Sequence, residues 1–263
     1  MNFKTIVRFL LDLKLGKIIK PIKRFIPKGI KRWVSENRGK ELISVEELKP
    51  QYKNACQHLI DKIGKDKIGD YIEFGVCHGT SMNCMNEVLR ELNLNKVRLI
   101  GFDSFEGLPE VVEKDDTEVW HKGQFKTEIE ETKYFLTKKG IDWNKTFLVQ
   151  GWFSDTLTRE TVTKYNIQKA SLIMVDCDMY SSAKEALTFC KPLILDTAVL
   201  IFDDWNSANL ADRNMGEKRA FQEFLDENPH FKAEEFGVYK YKGFQNGQLF
   251  VVTNTAAGTN KTN

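Results

Sequence analysis

No apolar run in this 263-residue chain approaches the ~18 residues that a bilayer-crossing helix needs. Its five cysteines, Cys56, Cys77, Cys84, Cys177 and Cys190, are odd in number and lack C-x-x-C spacing. That pattern argues against a disulfide framework and against structural zinc, and it suits free thiols buried in a reducing compartment. The four histidines, His58, His78, His121 and His230, form no ligand-spaced cluster. Aromatic residues are sparsely interleaved with the basic ones, which leaves no nucleic-acid partner to expect. The third glycine of a dinucleotide loop is also missing. Where Gly-x-Gly-x-x-Gly would clear a pyrophosphate, the chain has Gly75 and Gly79 only, with Glu73 just before them.

What is present there is still a strand–turn–helix. Gly69–Ser81 reads as a short apolar strand running into a glycine turn, with a helix opening at Thr80 whose free N–H groups face the turn. A carboxylate at such a strand end repels a pyrophosphate and suits a cation. Further apolar runs follow at Val97–Phe102, Phe147–Val149, Ser171–Val175 and Ala198–Phe202. Helical patterns separate them, at Met82–Leu92, Glu128–Lys139, Arg159–Tyr165 and Ser182–Leu193. Continuous β-branched runs alternating with helices indicate a doubly wound parallel sheet. Asp103, Asp176 and the Asp203–Asp204 pair each end one of these strands, at the edge where open α/β sheets bind ligands.

Charge is unevenly distributed. Residues 1–40 carry twelve Lys or Arg against Asp12 and Glu36, a net of +10, which leaves −8 on the rest of a chain whose total is +2. Phe3, Ile6, Val7, Leu10, Leu11, Leu15, Ile18, Ile19 and Ile22 lie near one helical face, and Pro21 and Pro27 kink or end that helix. Two readings stay open. The segment, residues 1–30 above all, lies on an anionic membrane, or it packs on protein as an arm or in a homo-oligomer. Arg8, Asp12 and Lys14 interrupt it too often for a signal peptide. Ser44-x-x-Glu47 has capping-box form before a helix at Tyr52–Ile63, which the sequence places as a cover over the ligand edge. The long connection between Asp103 and Phe147 reads as a lid, with His121 and Lys122 as lid candidates. Phe231–Tyr241 and Gln248–Val252 read as a terminal hairpin turning at Gly243, Asn246 and Gly247. The organisation expected is a basic amphipathic segment (1–40), a catalytic domain (41–254) and a disordered tail (255–263).

Five blocks occur in a fixed order: Glu73-Phe74-Gly75-Val76-x-x-Gly79-x-Ser81, Asp103-Ser104-Phe105-Glu106-Gly107-Leu108-Pro109, Gly151-Trp152-Phe153-x-Asp155-Thr156-Leu157, Asp176-x-Asp178-x-Tyr180-x-Ser182 and Phe202-Asp203-Asp204-Trp205. Over roughly Glu46–Val252 they resemble the macrocin O-methyltransferase family. Thr158 stands where that family usually has proline, and Leu195-Asp196-Thr197 where it has a glycine pair. The resemblance implies a Rossmann-like class I methyltransferase fold with a seven-stranded mixed sheet and helices on both faces. It implies S-adenosyl-L-methionine as donor, Mg²⁺ or another divalent cation as helper, and a sugar hydroxyl of an antibiotic, surface glycan or related molecule as acceptor. It also implies a cytoplasmic enzyme, peripheral at the inner membrane face if the basic segment binds lipid.

Roles follow from that resemblance. Glu73 is expected at the donor's ammonium or ribose edge, Gly75, Gly79 and Ser81 around its methionine part, and Asp103 on the ribose hydroxyls. Ser104, Phe105, Gly151, Trp152 and Phe153 are expected around adenine. Asp176, Asp203 and Asp204 are the expected metal ligands, and three crowded carboxylates resist joint ionisation without a cation. Asp176 doubles as general base. Asp178 either acts beside it or caps the helix that follows. Two other functions remain open, an NAD(P)-dependent sugar oxidoreductase and a non-catalytic donor-binding module. Tyr180 and Lys184 have the Tyr-x-x-x-Lys spacing that the first would use.

Overall fold

The computed structural model describes residues 43–112, 115, 119–241 and 244–256. The basic segment 1–40 and the tail from 257 onward lie outside the described residues.

Five apolar runs form the strands β1 (Asp70–Phe74), β2 (Leu99–Asp103), β3 (Thr146–Gln150), β4 (Ala170–Val175) and β5 (Thr197–Phe202). β6 (Phe231–Tyr241) and β7 (Phe244–Asn254) complete the sheet in the order β3-β2-β1-β4-β5-β7-β6. The first five pair in parallel, β7 runs antiparallel to β5, and β6 antiparallel to β7. This is the expected seven-stranded mixed sheet. Every residue of β1, β4 and β5 is buried, because helices cover both faces.

One face carries α1 (Val45–Ile63), α2 (Thr80–Glu91) and α3 (Ile129–Lys138), packed on Tyr71, Leu99, Met174 and Ile201. The other carries the single turn α4 (Phe153–Thr156), α5 (Arg159–Lys164), α6 (Tyr180–Cys190) and α7 (Gly216–Glu227). An aromatic cluster ties α7 to this second face, with the Phe221 ring 5.0 Å from Phe202 and 4.8 Å from Phe250.

The structure differs from the sequence reading in three places that bear on function. First, α1 begins at Val45, directly after Ser44 where the capping pattern stands, but it lies on a face of the sheet rather than over the ligand edge. Its stripe of Leu48, Tyr52, Ala55, Cys56 and Leu59 is buried. Only a sheet face offers apolar partners for such a stripe; the ligand edge is lined with acids. Ser44 is the N-cap residue, but its side chain makes no capping bond, and its carbonyl accepts from Glu47 and Leu48 instead. Second, Asn246 and Gly247 are not turn residues, since β7 starts at Phe244. Gly247 pairs with Tyr239 across the hairpin, and a Cβ there would fall 2.1 Å from the Tyr239 ring. Third, Thr255 is anchored, its N–H donating to the His230 carbonyl at 2.9 Å.

Gly75 shows why the first turn needs glycine. Its φ is +87°, and a Cβ would stand 1.7 Å from the Asp176 carbonyl oxygen. The ends of β1 and β4 therefore approach backbone to backbone, which brings the glycine turn beside Asp176.

Candidate active site

β4 and β5 are neighbours in a register that pairs Val175 with Phe202, so the residues that follow, Asp176 and Asp203, emerge side by side. Asp176, Asp203 and Asp204 each place one carboxylate oxygen within 4.8 Å of the others. That separation matches the ~4–5 Å across the oxygen shell of one divalent cation, twice a 2.0–2.6 Å bond. Asp203 and Asp204 are buried and Asp176 is half-buried. Burial holds the Asp176 carboxyl well above its ordinary range, and the charges of Asp203, Asp204 and Asp178 add to the effect. Asp203 is pushed up to about 8 by burial and by Asp204, against a downward pull from the Tyr239 hydroxyl. Asp204 is raised by burial, with Ser207, Asp178 and Asn246 opposing. Carboxylates this crowded and dry favour either a shared proton or a cation.

Asp178 joins the same group. Its φ of +63° turns the chain between β4 and α6, and its carboxyl hydrogen-bonds Asp204. Burial first, and then Asp204, hold it well above its ordinary range. It does not cap α6. That task falls to Asp115 of the long β2–α3 connection, which accepts from the Ser181 N–H and hydroxyl, both at 2.9 Å. Leu108 and Trp120 of the same connection pack on Met179 and Leu210. The insertion is thereby fastened beside the acid cluster. His121 and Lys122, the lid candidates, sit on its exposed surface, with Lys122 paired to Glu110 at 2.6 Å.

On the donor side, Asp103 braces the glycine turn. Its Oδ2 accepts from the N–H groups of Val76 at 2.8 Å and Cys77 at 2.7 Å, and its Oδ1 from Phe105 at 2.6 Å. Burial raises its pKa, and these three backbone bonds oppose the rise. Gly79 is the left-handed N-cap residue of α2. The Ser104 hydroxyl donates to the Gly107 carbonyl, closing a tight turn in which buried Phe105 has a φ of +59°. The Gly151 N–H donates to the Asp103 carbonyl at 3.0 Å, bringing Trp152 to the same edge. Trp152 is 37% exposed. Phe153 instead packs edge-on against Phe74 at 5.7 Å in the core.

Glu73 is placed elsewhere. It has no exposed surface, and its two oxygens accept from the Ser81 hydroxyl at 2.6 Å and the Tyr71 hydroxyl at 2.5 Å. Tyr71 in turn contacts the Tyr52 hydroxyl of α1 at 3.1 Å. Burial pushes the Glu73 carboxyl up to about 8. Glu73 and Ser81 thus lie together inside the α1–α2 layer, beneath the turn rather than on its open side.

Sequence reasoning missed three residues of the cluster. Glu217 is fully buried in the first turn of α7; its Oε2 accepts from the Asp204 N–H at 3.1 Å, and its Oε1 has no partner among the described residues. Burial, followed by the charges of Asp204, Asp203 and Asp178, raises it well above its ordinary range. Tyr239 donates its hydroxyl to Asp203 Oδ1 at 2.5 Å. Asn246 donates its amide to the Asp203 carbonyl at 2.6 Å. No local sequence signal marks any of them. An acid in the first turn of a helix is ordinary, and Tyr239 and Asn246 reach the site only through hairpin pairing.

Comparison with known proteins bears on the family to which the chain belongs. The profile of the family described as Macrocin-O-methyltransferase (TylF) matches residues 50–241. An 8-demethyl-8-(2,3-dimethoxy-alpha-L-rhamnosyl)-tetracenomycin-C 4'-O-methyltransferase of Streptomyces olivaceus is 28% identical over 156 residues, 57% of this chain and 58% of that protein. Demethyldecarbamoylnovobiocin O-methyltransferase of Streptomyces niveus is 28% identical over 182 residues, 66% of this chain and 67% of that protein. Among solved structures, the O-methyltransferase NovP superposes with a TM-score of 0.60 at 22% identity, covering 76% of this chain and 78% of its own, a likeness of fold.

Proposed function

This chain belongs to the macrocin O-methyltransferase family, and from that premise we propose that it methylates a hydroxyl of a sugar-containing acceptor, with S-adenosyl-L-methionine as donor and a divalent cation at the acid cluster. The observation that carries the reading is the convergence of Asp176, Asp203 and Asp204 beside the Gly75–Gly79 turn on one sheet edge.

The donor's sulfonium methyl is already activated, so the chain's task is to position it and to ready an oxygen. The Gly75–Gly79 turn, braced by Asp103, forms the floor for the donor, with Ser104 and Trp152 toward adenine. Asp103 retains lone pairs for ribose hydroxyls, since each carboxylate oxygen can accept more than one bond. Glu73 and Ser81 support the turn from beneath. Asp176, Asp203 and Asp204 would hold the cation, an all-oxygen set that suits a hard divalent ion such as Mg²⁺. Bound there, a divalent cation lowers the pKa of an acceptor hydroxyl. Asp176, the least buried of the three, accepts the hydroxyl proton, while Asp178 steadies Asp204. Two adjacent hydroxyls are the acceptor feature that such a site engages best, which suits a sugar.

The oxidoreductase alternative loses its residues. The Tyr180 hydroxyl donates to Glu223 at 2.6 Å and Lys184 pairs with the same carboxylate at 2.9 Å, so both are turned to α7. Among the described residues no helix is long and apolar enough to cross a membrane.

Calorimetry with S-adenosylhomocysteine and with NADH tests the donor. Turnover of labelled donor on a sugar panel, with and without EDTA, tests the cation. We expect homocysteine-form binding in both conditions and turnover only when Mg²⁺ is restored. Full turnover in chelator refutes the cation; NADH binding alone refutes the donor.

A further inference from the structure

The Tyr239 hydroxyl ends 2.5 Å from Asp203 Oδ1, in a place where both residues are buried. Tyr239 comes from β6, the outermost strand, and crosses β7 to reach the end of β5. It does so because Gly247 lies directly opposite in the β6–β7 register and has no side chain to hold the ring away. A Cβ at Gly247 would stand 2.1 Å from two ring carbons and 2.6 Å from the hydroxyl oxygen. The glycine is the socket for the ring. Asn246, next to it, donates to the Asp203 carbonyl at 2.6 Å, so side chain and main chain of Asp203 are both fixed from this hairpin.

We propose that Tyr239 is a positioning residue that makes Asp203 a one-oxygen ligand and thereby tunes the acid cluster toward small octahedral cations such as Mg²⁺ and against Ca²⁺. The proposal rests on the cation reading given above. A phenol donating to Oδ1 withdraws electron density from that oxygen and sterically screens it, which leaves the other oxygen as the better ligand. Mg²⁺ takes carboxylates through single oxygens in a tight octahedron, whereas Ca²⁺ gains from two-oxygen carboxylate binding in a larger, more flexible shell. A hydrogen bond that occupies one oxygen therefore discriminates by cation size. Such outer partners commonly change metal affinity by about 10–100-fold when removed.

The test is isothermal titration of the full chain with Mg²⁺ and separately with Ca²⁺, without donor or acceptor, for wild type and Tyr239→Phe. Phenylalanine keeps the ring in its socket and deletes only the donor. We expect Mg²⁺ binding to weaken on the order of tenfold. Ca²⁺ binding should hold or tighten, so that the ratio of the two dissociation constants moves toward Ca²⁺. Gly247→Ala, which displaces the ring but keeps the phenol, should shift the ratio in the same direction. If Tyr239→Phe lowers both affinities equally or leaves both unchanged, Tyr239 is only a packing residue. If wild type binds neither cation, the cation reading itself fails and takes the proposal with it. Circular dichroism of each variant separates these outcomes from loss of fold, and Tyr239→Phe decides even if Gly247→Ala does not fold.

Discussion

Glu73→Gln isolates a proton that the structure places in the core. Glu73 is fully buried, with one oxygen on Ser81 and the other on Tyr71, and burial moves its pKa from the usual 4.5 to about 8. Below about pH 4.5 the carboxyl is neutral in both folded and unfolded chains, and its contribution to stability is fully present. As pH rises, the unfolded chain releases the proton first while the folded chain keeps it, so stability falls through the window from about 4.5 to about 8. At ~1.4 kcal/mol per pKa unit the loss reaches at most roughly 5 kcal/mol across that window. That is a large share of the ~5–15 kcal/mol by which domains are stable. Glutamine cannot ionise, and its amide can still pair with both hydroxyls. Urea unfolding of the full chain at a series of pH values should show wild type and Glu73→Gln differing progressively more as pH rises from 5 to 8, with the variant gaining. Other buried acids titrate in both proteins, so the difference between the two curves is the informative quantity. Parallel curves would refute the reasoning and mean that Tyr71 and Ser81 keep Glu73 ionised in the folded state.

Two further outcomes are expected. Asp103→Ala removes the acceptor of three backbone N–H groups in and after the glycine turn, and it should weaken S-adenosylhomocysteine binding by roughly 1–3 kcal/mol, with Asp103→Asn milder; unchanged affinity by calorimetry would show that neither the turn nor ribose depends on it. The +10 segment 1–40 should carry the full chain onto anionic vesicles at low salt, at about 1 kcal/mol per basic residue near the surface, and a chain starting at Lys40 should not sediment with them; if the full chain ignores the vesicles, the segment packs on protein instead.

The sheet was legible because both of its faces are covered. Buried parallel strands become continuous β-branched runs, and β1, β2, β3, β4 and β5 all lie where those runs are. Asp103, Asp176, Asp203 and Asp204 were legible as site candidates for a related reason, since an acid directly after such a run must stand at the carboxyl edge. The same double burial hid the direction of Glu73. A strand with one wet face reveals by alternation which side each residue takes, but β1 is buried on both sides, so nothing local told that Tyr71 and Glu73 face α1 and α2. Gly247 misled for the opposite reason. A glycine near an asparagine favours a turn, and only the pairing partner eight residues earlier, Tyr239, reveals that the missing side chain makes room for a ring.

Position, rather than partner chemistry, divides the buried acids into two kinds. Asp176, Asp203, Asp204, Asp178, Glu217 and Glu73 influence one another's ionisation, and six negative charges cannot coexist in so dry a region. Burial raises Glu73, and the Ser81 and Tyr71 hydroxyls, which donate to its carboxylate, oppose that rise. Glu217 has one oxygen on a backbone N–H and the other without a partner among the described residues, and a charge there would be left half-compensated. Neither Glu73 nor Glu217 belongs to the group of three whose oxygens converge. Tyr239 and Ser207 donate to Asp203 and Asp204 in the same way, and there too the bonds oppose a rise set by burial. Asp176 joins them through proximity, with an oxygen within 4.8 Å of theirs and more solvent than either. Burial raises all six, so the three at the edge are distinguished by their convergence, and a cation is what would let those three ionise together.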